Sequence, residues 1–549
     1  MFSYSVYLSQ HRIYQVDECQ NFYMAKVLAV GQSSQFFTSS ALFLFGPLSW
    51  VTQMHLGSSE MYAIGRLIFL AVFWTNILLL ASIVRNRVGT VGFLVALLSA
   101  ATLAPLWDYG FEIRHDNLVL LGVLLMWWLV RVKQIGIVSY LVAGAITVAL
   151  LFVAVKSVVY VVPLSGAILL FPPSGHKKSR WILGAAWAGG AILAFLLIRL
   201  CYASEGAWDS YLATFRGISK YSAVTAAAGK VNTTGRFAPW DTLARLLTQT
   251  PLLLAFTAAA CVAVAVDLVR RRRAALTWDG ALPEFLLVLG CFAGLMANPN
   301  PYAYNLVHIV PYAFVLAYPY AVQLWNLIRG QAGLVPVVTG VILFLHLSPF
   351  GMATSRHLDF LNTRQKTLMS LAENLTDPKT DQVYDATGMV LTRWSIHYYW
   401  YLHSLNAPLI TTPGFRVRDM LAAKPAVVFI PSYRTDWLPE EDHRFIDQQY
   451  VPLADDFYIL GKTLAPGGGS FEIVHAGRYC VVPARTGSSK TGTLDGVALS
   501  DKPIELSVGT HQLETATNSS LAVVWVGPNL DGVPRLSPGD HDSLFVNWY

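Results

Sequence analysis

Apolar residues come in long, nearly unbroken runs up to about residue 350 and in short alternating runs after it. An apolar run of about 20 residues is what an α-helix needs to cross a bilayer core, whereas period-two alternation marks a strand with one buried face. The runs at 62–84, 88–105, 118–130, 135–155, 157–171, 181–201, 247–269, 282–297, 302–327 and 334–347 predict membrane helices. Residues 36–56 are apolar too, but Gly46-Pro47 and several serines interrupt them, which predicts an interfacial or re-entrant segment. The first 14 residues are too short and too polar to span.

Beyond residue 350 the periods shorten. "DQVYDATGM" and "AAKPAVVFIPSY" predict strands, the second reached from a helix, and "PEEDHRFIDQQYVPLADDFYILG" predicts a helix followed by a strand. This alternation predicts a small α/β layer domain over 351–464. "APGGGS", 465–470, has linker composition. After it, "GRYCVV", "GTLDGVAL", "PIELSVGTHQLET" and "LAVVWVG" predict short strands with turns at Asp495-Gly496 and Gly509. Residues 465–549 are therefore expected to form a small β-sandwich, whose cadence resembles Ig-like or carbohydrate-binding modules. The stretch "RWSIHYYWYLH", 393–403, is suited either to stacking on sugar rings or to an aromatic core.

Composition sharpens the division. The chain is 54% hydrophobic and only 13% charged, with mean hydropathy +0.47, against about 25% charged residues in a soluble chain. The deficit lies almost wholly before residue 350. A net charge of +6 without a basic stripe excludes a nucleic-acid partner. The basic residues cluster at Arg85 and Arg87, Arg131 and Lys133, Lys177 to Arg180, Arg270 to Arg273, and Arg329. Cytoplasmic loops carry the excess of Lys and Arg, so this spacing requires about ten crossings. It places Asp17, residues 107–117, Lys156, 202–246, 298–301 and the carboxy-terminal half on the outer side, periplasmic in a bacterial inner (plasma) membrane. An even count leaves the amino terminus outside with no preceding span to export it, which predicts that a first span is absent from this chain. The five cysteines form no C-x-x-C pair, so neither a zinc knuckle nor a disulfide framework is supported, and no cleavable signal peptide pattern is present.

Sorted by side, Asp17, Glu18, Glu112, Arg114, His115, Asp116, Lys156, Tyr302, Tyr304 and His308 all fall at the outer boundary. Ionisable residues at membrane depth are costly and point to function. Moving a sugar from a phosphate carrier needs a carboxylate to take the acceptor's proton and cations to hold the departing phosphate. Asp17 or Glu18 suits the first task, Arg114 and Lys156 the second. Each also has a plainer account. Acids favour a helix amino end, Arg114 and Asp116 suit a loop ion pair, Lys156 suits snorkelling, and His308 with the tyrosines suits an aromatic belt. Residues 203–250, with a glycine- and alanine-rich middle, suit either a lid or an interfacial loop.

Four of these stretches, taken in order, carry a resemblance. "VDECQNFYMAKVLAVGQ" resembles the first external loop of the GT-C membrane glycosyltransferases, in the protein O-mannosyltransferase and aminoarabinose (lipid A) transferase branch. "YGFEIRHDN" resembles their second external motif, "VAVKSVVYVVPL" the lysine-bearing one, and "NPNPYAYNLVHIVPYAF" the late aromatic one. The chain departs from the family in the polar "CQN" after the acids, and is expected to depart from it in lacking the first span. The resemblance implies a polytopic α-helical membrane domain over 1–350 and an inverting transfer of a monosaccharide from a polyprenyl-phosphate donor. The acceptor would be a glycolipid, cell-surface glycan or protein, with membrane lipids as further partners. It implies Asp17 as base with Glu18 beside it, Asp116 as second-loop acid, and Arg114 and Lys156 on the lipid phosphate. Tyr302, Tyr304 and His308 would line the substrate. Some members use a divalent metal ion and others do not; here Asp17, Glu18 and Asp116 would hold it. The rival reading is a transporter or flippase of a lipid-linked saccharide. It expects charge along the span centres, whereas here charge gathers on one face, with Asp267 and Glu284 at inner ends.

Overall fold

The structure, a computed structural model, describes residues 1–32, 40–133, 136–170, 180–216, 239–271, 281–297, 303–396, 411–414, 416–484, 490–515, 520–536 and 544–545. Two short helices come first, α1 (Phe2–His11) and α2 (Val16–Ala29). The apolar runs then give α3 (Ser58–Ala101), α5 (His115–Trp128), α6 (Ile137–Val153), α7 (Val158–Leu170) and α8 (Arg180–Ser204), with a short α4 (Ala104–Tyr109) before α5. After α9 (Pro239–Gln249) come α10 (Pro251–Arg271), α11 (Leu282–Ala297), α12 (Leu306–Ile328) and α13 (Val335–Leu358). An apolar helix thus lies at each position the hydropathy pattern marks. Among the described residues six are long and apolar enough to cross a membrane, and the chain is a multi-pass membrane protein.

The 44 residues of α3 exceed one crossing, since at 1.5 Å each they would reach about 66 Å against a core of about 30 Å. Gly89, at φ +69°, breaks the helix into two legs, a backbone state open to glycine at little cost. This is where the sequence separates two spans. Residues 36–56 partly fall outside the described residues; 41–52 are helical, broken at Gly46, and pack on α2. Helices α6 and α8 lie side by side with their backbones in contact. A Cβ on Gly144 would strike the Trp187 carbonyl, and one on Gly190 the Leu141 carbonyl. Such close approach through small residues is how helices associate where no hydrophobic force operates between them. Near the break in α3, Arg87 and Arg131 converge on buried Glu284 of α11, at 2.8 and 2.6 Å.

Helix α13 runs eleven residues past the expected end of its span, to Leu358, before α14 (Thr363–Leu375) begins the polar half. The strands are β1 (Val383–Asp385), β2 (Val428–Ile430), β3 (Tyr450–Ala454), β4 (Phe457–Leu464), β5 (Gly468–Ile473), β6 (Gly477–Pro483), β7 (Gly492–Leu494), β8 (Val497–Ala498), β9 (Ile504–Leu506), β10 (Gly509–Thr515) and β11 (Leu521–Trp525). α15 (Val417–Ala423) precedes β2, and α16 (Glu440–Gln449) precedes β3. One seven-stranded sheet has the order β1-β2-β4-β11-β6-β9, with β3 on β4; a second has the order β5-β10-β7-β8. The turn between β7 and β8 is at Asp495-Gly496, both at positive φ.

The chain therefore does not part at 464/465 as its composition implies. β4 from before "APGGGS" pairs with β11 from after it, Leu521 opposite Leu464. Gly468 and Gly469 belong to β5, opposite Glu514 and Leu513, so half of the expected linker is strand. The carboxy-terminal region is one α/β sheet assembly with a second small sheet.

This region is bolted to the segment between α1 and α2. Ile13 donates to the Phe360 carbonyl (3.0 Å), Asn362 to the His11 carbonyl (2.7 Å), and the Gln365 amide takes both the amide and the carbonyl of Tyr14 (2.7 and 3.0 Å). On α2 itself, Lys26 donates to the Arg393 carbonyl at 2.6 Å and Tyr23 accepts from the Ser395 amide at 2.9 Å. Asp17 stands at the start of α2, between these contacts and the membrane helices.

Candidate active site

The two adjacent acids diverge. Gln15 is the N-cap of α2, and the Glu18 carboxylate folds back to accept the Gln15 amide at 2.9 Å, a capping arrangement that also suits the positive end of the helix. Glu18 is fully buried. The Arg66 guanidinium meets both of its oxygens, at 3.0 and 2.6 Å, and the Ile113 amide donates at 3.1 Å. Burial works against the charged form, but Arg66 outweighs it and holds the Glu18 carboxyl below the usual carboxylate range. Glu18 thus meets four protein donors and joins α2, α3 and the loop before α5. The expected pair of side-by-side acting acids is not formed.

Asp17 points elsewhere and keeps about a third of its side chain in solvent (30%). The Arg114 guanidinium lies 2.9 Å from it. Arg114 is the N-cap residue of α5, with extended backbone, and is itself buried. Its Nε lies 3.5 Å from Asp116 and its Nη1 3.7 Å from Glu112. Asp116, in the first turn of α5, is buried and is the hub of the cluster. Its Oδ1 meets Lys156 Nζ at 2.6 Å and His308 Nε2 at 3.2 Å, and its Oδ2 lies 3.6 Å from His115 Nε2. Lys156 reaches it because the chain straightens at Ala154 and makes a single turn, Val155–Ser157, between α6 and α7. His308 comes from the first turn of α12 and stacks on Tyr160 at 4.2 Å. Tyr304 lies under both cations, its ring 3.9 Å from the Arg114 guanidinium and 4.6 Å from Lys156 Nζ.

Six of the expected residues, from four separate stretches, therefore meet in one place: Asp17, Arg114, Asp116, Lys156, Tyr304 and His308. Glu18 adjoins them but faces Arg66. Tyr302 lies outside the described residues, as do 217–238, the middle of the expected lid, and 397–403 of the aromatic stretch.

Residues that pattern reading left without a role form a second tier. Arg12, buried, donates to Glu112 at 2.7 Å and to the Asp108 carbonyl at 2.9 Å. Glu112 in turn faces Arg114. Arg66 was the more legible of these. It interrupts the apolar run 62–84, and a lone guanidinium there needs an acid partner.

The donor set does not fit a divalent cation. Among the described residues no three of His, Cys, Asp and Glu are grouped to hold a metal. Glu18 is committed to Arg66, and Asp17 and Asp116 already face Arg114 and Lys156. A dication here would meet two positive charges at contact distance.

Fold and site together define a helical membrane protein that gathers acids and bases into one cluster at one end of its helices. No family description matches the sequence, and no characterised relative does. Among solved structures, the chain is similar to the oligosaccharyltransferase of Archaeoglobus fulgidus. To its apo form the identity is 11%, with 85% of this chain and 70% of that one covered and a TM-score of 0.49. To the form tethered to an acceptor peptide containing the NVT sequon it is 11%, with 84% and 69% covered and a TM-score of 0.47.

Proposed function

We propose that this chain is a membrane glycosyltransferase that passes a monosaccharide from a polyprenyl-phosphate carrier to a hydroxyl-bearing acceptor, with inversion. One observation carries the reading. Asp17 and Lys156 are the two solvent-reaching ends of a continuous run of opposite charges, Asp17–Arg114–Asp116–Lys156, whose middle members are buried. An acid at one end and a cation at the other match a reaction that gains a proton at one point and negative charge at another.

The acceptor oxygen attacks the anomeric carbon from the face opposite the phosphate. The carbon–oxygen bond to phosphate breaks, and its electron pair leaves with the phosphate, which passes from a monoanionic diester to a dianionic monoester. The acceptor's proton moves to Asp17. Once protonated, Asp17 no longer neutralises Arg114, and the guanidinium turns its charge to the phosphate oxygens just as their charge grows. Lys156 supplies the second cation. Asp116 and Tyr304 hold both cations in place, and Glu18, through Arg66, fixes the start of α2 and so the height of Asp17. No step passes through a metal. In this reading the cluster and residues after 350 lie on the outer face of the membrane, and the sheet region shapes the acceptor side.

Two substitutions test it, with purified protein in lipid and a panel of labelled polyprenyl-phosphate sugars. Asp17→Asn keeps the shape and removes the base; transfer should fall by about 100-fold or more with donor binding retained. Lys156→Ala should instead weaken donor binding. Full transfer by Asp17→Asn would overturn the assignment of the base. Movement of intact carrier across the bilayer without transfer would support the flippase reading instead.

A further inference from the structure

Helix α9 has three distinct sides, because successive residues on a helix are turned by about 100°. Thr242 and Leu246 are buried against the protein, and on the same side the Gln249 amide donates to Asp108 Oδ2 at 2.7 Å. Asp241 and Thr248 are exposed and polar. The third side carries Trp240, Leu243, Ala244 and Leu247, the i, i+3, i+4, i+7 spacing of one apolar edge. That edge is turned outward, with Trp240 65% and Leu247 50% exposed. The next helix, α10, begins at Pro251 and is one of those long enough to cross the membrane. The apolar edge therefore lies next to the start of an apolar helix long enough to span and on the side of the cluster, since α9 bonds Asp108 and, through Arg245 Nη1, Tyr109 (3.5 Å).

We propose that α9 is an interfacial helix whose Trp240–Leu247 edge dips into the headgroup–acyl boundary of the leaflet nearest the site. Continuity with α10 fixes its depth, tryptophan is a residue that favours this layer, and Asp241 and Thr248 are exposed on a separate side. A helix with segregated apolar and polar faces lies in the plane of such an interface. The consequence reaches the site. The residues α9 bonds, Asp108 and Tyr109, end α4, five residues before Arg114. The bilayer surface thereby sets the height of the loop that presents Arg114 and Asp116. The inference needs the cluster to face a leaflet and does not depend on sugar transfer.

The test is lipid contact in the full-length protein, reconstituted in phosphatidylethanolamine–phosphatidylglycerol nanodiscs. A benzophenone amino acid is placed at Leu247 in one variant and at Thr248 in another, and lipid adducts are read by mass spectrometry. The expected result is at least a ten-fold excess of lipid adduct at 247 over 248. Equal yields, no lipid at 247, or an adduct to the protein itself at 247 would overturn the proposal. A second measurement uses no reactive residue. Trp240→Phe should remove a component of the tryptophan emission that lipids brominated near the headgroup quench; an unchanged quenching profile would also overturn it. Either result stands whether or not the chain transfers sugar.

Discussion

Neighbouring side chains at 17 and 18 leave the axis of α2 about 100° apart, and that rotation gives them separate surroundings. Asp17 meets water and Arg114, whereas Glu18 meets Arg66 and no solvent. A buried ion pair adds little net stability, but removing one partner strands the other charge, at a cost of about 3–5 kcal/mol. Arg66→Met should therefore lower the thermal midpoint of the purified protein sharply. Arg66→Met with Glu18→Leu should recover the part of the loss that comes from the unpaired charge and no more, because the Gln15 and Ile113 amides and the Ser9, Arg12 and Ile13 carbonyls also lose their partner. A double variant no more stable than the single one would show that Glu18 is not the partner that matters. Sequence reading found Asp17, Arg114, Asp116 and Lys156 because each is a charge next to a hydropathy boundary. It treated Asp17 and Glu18 as one feature, because adjacency in sequence hides the turn of a helix. It passed over Arg12, and over Arg66 although that residue interrupts an apolar run, because the partners of both come from other elements.

At the scale of elements, hydropathy located the apolar helices, six of them among the described residues long enough to span, because a run of about 20 apolar residues is a local signal. The strands were also legible, down to the turn at Asp495-Gly496, since alternation is local. Pairing was not. β11 begins 57 residues after β4 ends, at Leu521 against Leu464, and nothing in either names the other. A glycine- and proline-rich stretch resembles a linker whether it joins two modules or turns a strand within one. Helix contacts show the same limit. Gly189 and Gly190 look alike in sequence, yet a side chain on Gly190 would strike the Leu141 carbonyl whereas Gly189 has open space around it. Gly190→Val should force α6 and α8 apart and lower the thermal midpoint, and Gly189→Val should leave it nearly unchanged. Equal effects at both positions would contradict the close approach of these two helices.

Across the whole molecule, one acid ties the membrane helices to the polar region. Asp108 of α4 meets Arg356 at 2.8 Å and His357 at 3.0 Å, both in the last turns of α13 just before the sheet region. Burial alone would raise its pKa, but His357 and Arg356 outweigh burial and bring it to about 2. A carboxyl depressed in the folded state adds stability that is complete above its unfolded value, about 4, and lost as pH falls toward 2. Asp108→Asn should therefore lower the thermal midpoint at neutral pH and narrow the gap to the parent chain as the medium is acidified through that window. A gap that stays constant down to pH of about 2 would assign the loss to packing and not to charge.

The placement of β11 bears on how the chain is made. It is the last strand among the described residues, yet all five of its residues are buried and it lies between β4 and β6. Until Trp525 has been synthesised, both neighbours have an unsatisfied edge. The described apolar helices all precede it in the chain, so the sheet closes only after they have been synthesised, and a nascent chain halted before Leu521 would leave those edges unpaired.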